Sequence, residues 1–582
     1  MNILGLHAFG HDTGASLATK ERLWAIGEER LNRKKHSGAF PNESITYVLK
    51  AAGLAGINDV DAIVGIAHPD KRGVDRFEKA VRETLDYSGK IYTISHHEAH
   101  AASAYYASPF DDASIMVVDG LGSEAFAVGT QNRVPFMLRA LDDKKRRRFH
   151  EVQSFFHGRG ADISAINKHY TLPDYQNGLG LIYMATSVFL NFGDFGSGKV
   201  MGLAPYGGEN GIFHRGFCEL VEGVALTRSE KNFVRHIEKF QKDFYPEIPV
   251  RTDQPLPDKT YTEIAYAVQD ATERYLIEIA NHLYKISPSK NLCYAGGVGL
   301  NSVANKKILD NSPFENIFIQ PASCDSGLAL GCALYGAHAV MGVEQGTYRF
   351  GNAYLGCPYG EERILSALNA TRGIGYKKDT HIVSSAARLL ADGNILGWFE
   401  GASEVGTRAL GHRSIICDPR DPNMKDTLNA RVKHREGFRP FAPSVLLEKA
   451  FDYFDLTCDS PYMLLIAKVT EAMQKEVPAI THVDGTARVQ TVTKDGNGRY
   501  YELIKEFFRI TGTPVILNTS YNIAGEPIVE TPEDALGCFM STEMDYLVIE
   551  DYLIEATEEK QLIGKPVADE NVMTARGIRN TK

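Results

Sequence analysis

Two short stretches hold the residue types best suited to chemistry in this chain: Ser95-His96-His97-Glu98-Ala99-His100 and Asp119-Gly120-Leu121-Gly122-Ser123. Ser95 with Glu98 three residues later forms a capping box, which marks the start of a helix. His96 and His100 then share one helix face, four apart, a spacing used by paired metal ligands, while His97 points elsewhere. A pair of satisfied core histidines would have the same spacing. Asp119 favours the metal. It ends the apolar strand Ser114–Val118, and a carboxylate there is costly to bury unless paired or ligating. Imidazole and carboxylate together suit iron, manganese or magnesium beside phosphates, and affinity alone does not choose among them. Asp325, in Asp325-Ser326-Gly327 at the start of a late helix, is a candidate fourth ligand.

Glycine-rich turns supply a second kind of chemistry. His11-Asp12-Thr13-Gly14 follows the first strand, and Asp119-Gly120-Leu121-Gly122-Ser123 follows its counterpart. Two facing turns of this kind can offer backbone N–H groups to a polyphosphate, although each alone is equally an ordinary β-turn. Asp12, Gly120, Gly122 and Ser123 are therefore candidate nucleotide contacts. Gly296-Gly297-Val298-Gly299-Leu300-Asn301 lacks the GxGxxG spacing and fits a close backbone approach to an adenosine, with Gly296, Gly297 and Asn301 as contacts.

The C-terminal half is different. Arg408-Ala409-Leu410-Gly411-His412-Arg413-Ser414, Lys433-His434-Arg435-Glu436-Gly437-Phe438-Arg439-Pro440, Arg488, and Asn518-Thr519-Ser520 concentrate basic and small polar residues. Arginines interleaved with Gly and Pro in an acidic protein point to a small anionic substrate, because the guanidinium fork matches phosphate. Surface salt bridges are the alternative.

The elements that must position these groups follow from periodicity. Three strands are expected at Ile3–Phe9, Ala15–Thr19 and Leu23–Glu28. A helix follows near Asn42–Ala52, then a strand Ala62–Ala67, a helix Gly73–Leu85, a strand Lys90–Ile94 and the helix opening at His96. The pattern then restarts. Strands are expected at Ser114–Val118, Ala125–Thr130 and Pro135–Ala140, with a long amphipathic helix at Thr262–Ile286. A strand Leu292–Ala295, a helix Leu300–Leu309, a strand Asn316–Gln320 and a helix Ser326–Val340 complete the second copy, so the unit is duplicated. Lys144–Arg148 and about 207–257 read as polar, irregular insertions, the basic run as a solvated tip. After a Gly- and Tyr-rich break near 342–361, a helix Thr380–Asp392 and a strand Ile395–Phe399 open a different unit. The expected division is 1–345, a linker 346–375, a second domain 376–560 and a polar tail 561–582.

At 582 residues the chain is too long for one core. Its 43 % hydrophobic and 23 % charged composition is that of an ordinary globular protein. A net charge of −10 disfavours nucleic acid as partner. The eight scattered cysteines form no CxxC pair and read as reduced thiols of a cytoplasmic protein. The opening MNILGLHAFGHDTGAS has no basic leader, and no apolar run approaches a membrane span, so no membrane partner is expected.

Taken in order, these motifs resemble the O-carbamoyltransferases of antibiotic and nodulation-factor biosynthesis, the NodU/CmcH group. The markers are His11-Asp12, SHHEAHAAS at 95–103, VVDGLGSE at 117–124, GSGKVMGLAPYG at 196–207, YAGGVGLN at 294–301, SEVGTRALGHRSI at 403–415, VKHREGFRPFAPSV at 432–445 and NTSYNIAGEPI at 518–528. The resemblance implies an α/β protein: a duplicated actin-like ATPase (ASKHA, Kae-like) domain followed by a YrdC-like α/β domain. It implies that carbamoyl phosphate and ATP, the latter with Mg2+, give carbamoyl-adenylate and pyrophosphate. The carbamoyl group then moves to a hydroxyl of a small-molecule acceptor, releasing AMP. By the same resemblance His96, His100, Asp119 and Asp325 hold a metal, Fe2+ or another divalent ion, and His11 is the general base. Arg408, Lys433, Arg439 and Arg488 bind carbamoyl phosphate or ATP, with Asn518 and Ser520 nearby. Glu526 stands where some relatives present a basic residue, which leaves the last phosphate contact open. A small-molecule kinase on the same fold, carbamoyl transfer to a macromolecule, and a non-catalytic nucleotide scaffold are the rival readings. A homodimer would be compatible with all of them.

Overall fold

The computed structural model describes residues 1–67, 71–122, 124–126, 148–171, 178–208, 217–221, 223–227, 237–252 and 256–557. The first apolar runs build a five-stranded sheet from β1 (Asn2–His7), β2 (Gly14–Thr19), β3 (Leu23–Gly27), β4 (Ala62–Ile66) and β5 (Lys90–Ile94), in the order β3-β2-β1-β4-β5. β1, β2 and β3 form an antiparallel meander, and β4 and β5 join it parallel to β1. β1 and β4 are buried almost throughout, which is why both are near-continuous apolar runs.

The second sheet repeats the wiring. It contains β6 (Asp112–Val118), β7 (Glu124–Phe126), β8 (Arg148–Arg159), β9 (Asp162–Thr171), β12 (Asn291–Ala295) and β13 (Asn316–Ile319). β8 is antiparallel to β6 and β9 to β8, while β12 and β13 run parallel to β6. The duplication expected from the strand pattern is therefore present, with one correction. Among the described residues β8 and β9, at 148–159 and 162–171, are the strands that follow β6 across the sheet; the strand expected at 125–130 overlaps the short β7, paired with the start of β8, and the one expected at 135–140 lies outside the described residues. Apolar runs at 125–128 and 134–138 stand between β6 and β8, so adjacency in sequence drew the expected partners to them. Of the misplaced segments only 124–126 is described, as β7. Ser123, 127–147 with most of the basic run, and 558–582 with the polar tail lie outside the described residues.

The stretch near 207–257 is less irregular than its composition implied. It supplies a hairpin of β10 (Cys218–Val221) and β11 (Val224–Thr227) and a helix Ile237–Phe244. Phe217, Phe240, Phe244 and Tyr245 from it are buried against the Lys259–Ile286 helix in the core of the second half.

Two helices, His96–Tyr105 and Leu328–Tyr335, pack together between the sheets in one core with Ile3, Ile115 and Cys293. Their approach depends on Gly331, where an added Cβ would overlap the Ala99 carbonyl oxygen. Gly331→Ala is expected to lower the unfolding free energy by at least about 2 kcal/mol, because neither backbone can give way. Urea denaturation would measure this, and a loss below about 0.5 kcal/mol would show that the helix pair relaxes freely.

The C-terminal domain is one mixed sheet of eight strands. These are β14 (Ile374–Lys378), β15 (Leu396–Phe399), β16 (Arg413–Cys417), β17 (Ala442–Leu446), β20 (Gln490–Val492), β21 (Val515–Ser520), β22 (Tyr546–Ile549) and β23 (Tyr552–Ala556). Their order is β14-β23-β22-β15-β16-β21-β17-β20, and β18 (Ile466–Lys468) pairs with β19 (Thr486–Arg488) beside them. Helices Ile382–Ala391 and Lys494–Thr511 pack on one core with Trp398, and Glu361–Ala370 and Pro532–Met540 contribute to another with Phe399. The stretch 346–375, read as a linker, is thus shorter than drawn. Ile364, Ala367 and Leu368 of the 361–370 helix sit in the C-terminal core, and β14 is an edge strand paired with β23. What remains of the connection is fixed to both domains. Leu355 accepts a backbone bond from Ala25, Ala353 accepts one from Val405, and Gly356 donates one to Ser403.

Candidate functional site

The capping box at the His96 helix is formed: Ser95 Oγ accepts from the Glu98 N–H at 3.3 Å, and Glu98 accepts from the Ser95 N–H at 2.9 Å. This start fixes which turn carries the histidines. His96 and His100 then point together, with their Nε2 atoms 3.1 Å apart. Asp119, at the end of β6, brings Oδ2 to 3.2 Å from His96 Nε2, and Asp325 brings Oδ1 to 3.4 Å. From His100 Nε2 the same oxygens lie at 3.9 and 3.7 Å. All four ligand atoms fall within 4.8 Å of one another. His97 is fully buried on another side, with Nδ1 against Ser154 Oγ at 2.7 Å.

The electrostatics of this cluster fit a cation. Burial alone would lower the pKa of His96, yet the charge of Asp325 and the hydrogen bond to Asp119 raise it to about 10. Burial would raise Asp119, and the His96 hydrogen bond instead holds it below the usual carboxylate range against the repulsion of Asp325. A proton on His96 thus does in part what a divalent ion would do between two buried carboxylates. Gly297 supports the arrangement, since its N–H donates to Asp119 Oδ1 at 2.8 Å. Gly296 makes this possible: it adopts φ +96°, and a Cβ there would overlap the Val118 carbonyl.

His11 stands beside the cluster, with Nε2 3.7 Å from Asp325 and Nδ1 bonded to Asp12 Oδ2 at 2.8 Å. Asp12, in the left-handed region at φ +55°, uses its other oxygen to bind His36 Nδ1 at 2.9 Å. The Asp12 hydrogen bond, with Asp325 also near, raises His11 to about 9 despite burial. Phe195 stacks on His36 at 3.8 Å between ring centroids and meets His11 edge-on at 5.3 Å. Glu29, whose Oε2 accepts from the His36 N–H at 2.8 Å, was not singled out from sequence, nor were His36 and Phe195. Their only signal was proximity to quoted motifs, and their convergence needs three separate segments.

Some expected nucleotide contacts carry other duties. Asn301 caps the Ser302–Asn311 helix through Ala304 and pairs its amide with that of Gln269. Gly120 and Gly122 flank the turn after Asp119, and the Gly122 N–H donates to the Glu151 carbonyl at 2.7 Å.

In the C-terminal domain, cations gather with few counter-charges. Burial and mutual repulsion lower Arg408 to about 10 and Arg435 to about 9, and take Arg488 and Lys433 well below their ordinary values. Burial likewise lowers Arg439. Glu436 is the nearby carboxylate, 3.6 Å from Arg439 and 2.7 Å from Lys199. The Nε atoms of Arg408 and Arg488 have no hydrogen-bond partner among the described residues. Such a cluster is what an anion would stabilise. Arg435 belongs to it, although only its neighbours were proposed as ligands. Asn518 lies beneath, bonded to Ser444 and Gln490, whereas Ser520 Oγ accepts from Lys433 at 3.4 Å.

Arg413, from the same basic run as Arg408, does something else. It is fully buried, donates to the carbonyls of Glu400, Gly401, His412 and Glu530, and lies 3.6 Å over the Phe399 ring. His412 stacks on Tyr354 at 3.4 Å, and burial lowers it to about 4. Both hold the domain together.

A small pocket between the domains is lined by Asp12, Thr13, Arg30 and Ser326 from one side and by Ser403 and Glu404 from the other. Among the described residues no helix is long and apolar enough to cross a membrane.

Comparison with known families is consistent along the length of the chain. Residues 2–87 and 77–334 match the model of the carbamoyltransferase N-terminus, and residues 387–556 that of the carbamoyltransferase C-terminus. An uncharacterized Synechocystis protein is 35 % identical, over 96 % of this chain and 97 % of its own length. Nodulation protein NolNO of Sinorhizobium fredii is 35 % identical over 94 % of this chain and 79 % of its own. The crystal structure of T. kodakarensis HypF aligns with 59 % of this chain and 48 % of its own at 16 % identity and TM-score 0.34, too distant to bear on the site.

Proposed function

Because the chain belongs to the carbamoyltransferase family and is therefore a transferase enzyme, we propose that it is an ATP-dependent O-carbamoyltransferase working in two steps at two sites. The observation that carries this reading is the presence in one chain of a cation cluster poor in counter-charge and of a separate histidine–carboxylate cluster. The first site suits polyanions. There, carbamoyl phosphate and ATP would give carbamoyl-adenylate. The atoms balance if the donor's phosphate leaves as inorganic phosphate with one water taken up. Carbamate then attacks the α-phosphorus and pyrophosphate departs. Arg408, Lys433, Arg435, Arg439 and Arg488 would hold the phosphates as charge shifts onto the leaving group.

At the second site the acceptor hydroxyl attacks the carbamoyl carbon and AMP leaves. His11 Nε2 is the atom placed to take the hydroxyl proton, because Nδ1 is occupied by Asp12. His96, His100, Asp119 and Asp325 would hold a divalent ion, for which iron is the expectation, and that ion would offset the phosphate charge of the departing AMP. The same positive charge would oppose the carboxylates that raise His11, returning it toward the neutral form a base requires. Passage from one site to the other without release to solvent would suit an adenylate that water would destroy. The acceptor in this reading is a small molecule.

Following pyrophosphate and AMP separately tests the scheme. Pyrophosphate release is expected to require carbamoyl phosphate, and His11→Asn is expected to slow AMP release by about 10²–10⁴-fold while sparing the first-turnover burst of pyrophosphate. This holds whether the attacking hydroxyl belongs to an acceptor or to water. ADP as the nucleotide product would replace this reading with a kinase, and an unaffected His11→Asn variant would favour a non-catalytic scaffold.

A further inference from the structure

A residue of the first domain reaches a turn beside the anion site of the second. Arg33 ends the short Glu28–Asn32 helix in the left-handed region, φ +57°, which turns its side chain out across the domain boundary. There its guanidinium donates to the carbonyls of Pro527 and Ile528, both at 2.8 Å. Glu526 and Asp534 flank it at 3.8 and 3.6 Å. The turn it grips is not isolated. The Glu526 carbonyl accepts from Asn522 Nδ2 at 2.8 Å, which fixes the orientation of that amide. Asn522 Oδ1 then accepts from Lys433 Nζ at 2.9 Å and from Ser520 Oγ at 2.7 Å. The backbone oxygens of Asn522 and Ser520 also accept from Lys433, which is 4 % exposed. Every acceptor around this ammonium is therefore a neutral group on the 520–522 segment, and the segment is braced from outside by Arg33.

We propose that Arg33 is a positioning residue for Lys433, acting through the 526–528 turn and Asn522, so that adenylate formation depends on a side chain of the other domain. The inference rests on reading the C-terminal domain as the adenylate-forming unit. A two-pronged guanidinium clamp is well suited to the task, since it fixes two carbonyls at once rather than one. Small displacements of a charged phosphate ligand weaken substrate binding without removing any catalytic group. The same segment carries His36, which holds Asp12 and through it His11, so one strut touches both sites.

The test uses the full chain and initial rates of pyrophosphate release against carbamoyl phosphate concentration at saturating ATP. Arg33→Met is expected to raise KM for carbamoyl phosphate about tenfold with a smaller change in kcat, and Arg33→Lys to recover part of the loss. Asn522→Ala should reproduce the effect. The double variant should be no worse than the stronger single, because both break one chain. A KM for Arg33→Met within about twofold of the parent, or single effects that multiply in the double variant, would overturn the proposal. If Arg33→Met melts early, Arg33→Lys and Asn522→Ala carry the same comparison. A parent enzyme whose pyrophosphate release ignores carbamoyl phosphate would instead sink the two-step reading itself.

Discussion

Replacing His100 by alanine is expected to abolish metal binding and stop AMP release, while the first-turnover burst of pyrophosphate proposed for the C-terminal domain persists. His100 is fully buried, and its Nε2 lies 3.1 Å from that of His96 and within 4 Å of both carboxylates. Its loss removes one of the four proposed ligands and leaves Asp119 and Asp325 with a single imidazole between them. Loss of an outer-shell partner costs metal sites about 10–100-fold in affinity, and loss of a ligand should exceed that. AMP release should fall at least about 100-fold, since neither the charge on AMP nor the pKa of His11 is then controlled. Elemental analysis of the purified protein, titration with ferrous iron under anaerobic conditions and the two product assays would check this together. Equal loss of both products would show that the two sites are not separate. Full metal content in the variant would remove His100 from the ligand set.

Arg488→Met should make the protein more stable and less active. In the structure Arg488 is disfavoured by burial and by the charges of Arg408, Arg435 and Arg439, and its Nε has no partner among the described residues. Methionine keeps much of the volume and removes the uncompensated charge. Replacing buried charges by apolar groups of similar size has given about 1–4 kcal/mol of stabilisation, and a rise in melting temperature is expected here. Pyrophosphate release should fall by about 10²–10³-fold, the cost of removing one preorganised donor from developing charge. Inorganic pyrophosphate should raise the melting temperature of the parent more than that of the variant, because ligand binding to the folded state adds stability. A destabilised variant with normal pyrophosphate release would show that Arg488 is a structural cation like Arg413.

That contrast shows where residue type ceases to inform. Arg408 and Arg413 stand five positions apart in one motif, and nothing in their spacing separates them. Only the fold gives Arg413 four carbonyl acceptors and an aromatic face, while Arg408 is left among other cations. The strands were legible where alternation or apolar runs were local, as in the β1–β3 meander and at β12 and β13. They were missed at β8 and β9, because nearer apolar runs at 125–128 and 134–138 carry the same local signal. The 361–370 helix was missed because its three core residues follow a Gly- and Tyr-rich run that reads as a break.

By itself the sequence determined the duplicated first domain, the helix start at Ser95, the shared face of His96 and His100, and the acid at the end of β6. Each of these is set by contacts within a few residues: a capping box, a 3.6-residue period, a strand ending in a turn. The tertiary structure alone decided the distances at which Asp325, already a candidate ligand, meets the histidines, that Asp12 joins His11 to His36, and that Arg33 reaches the turn beside Lys433. Those groups are remote in the chain. Their pKa values, partners and roles depend on distances that arise only when separate sheets and domains pack together.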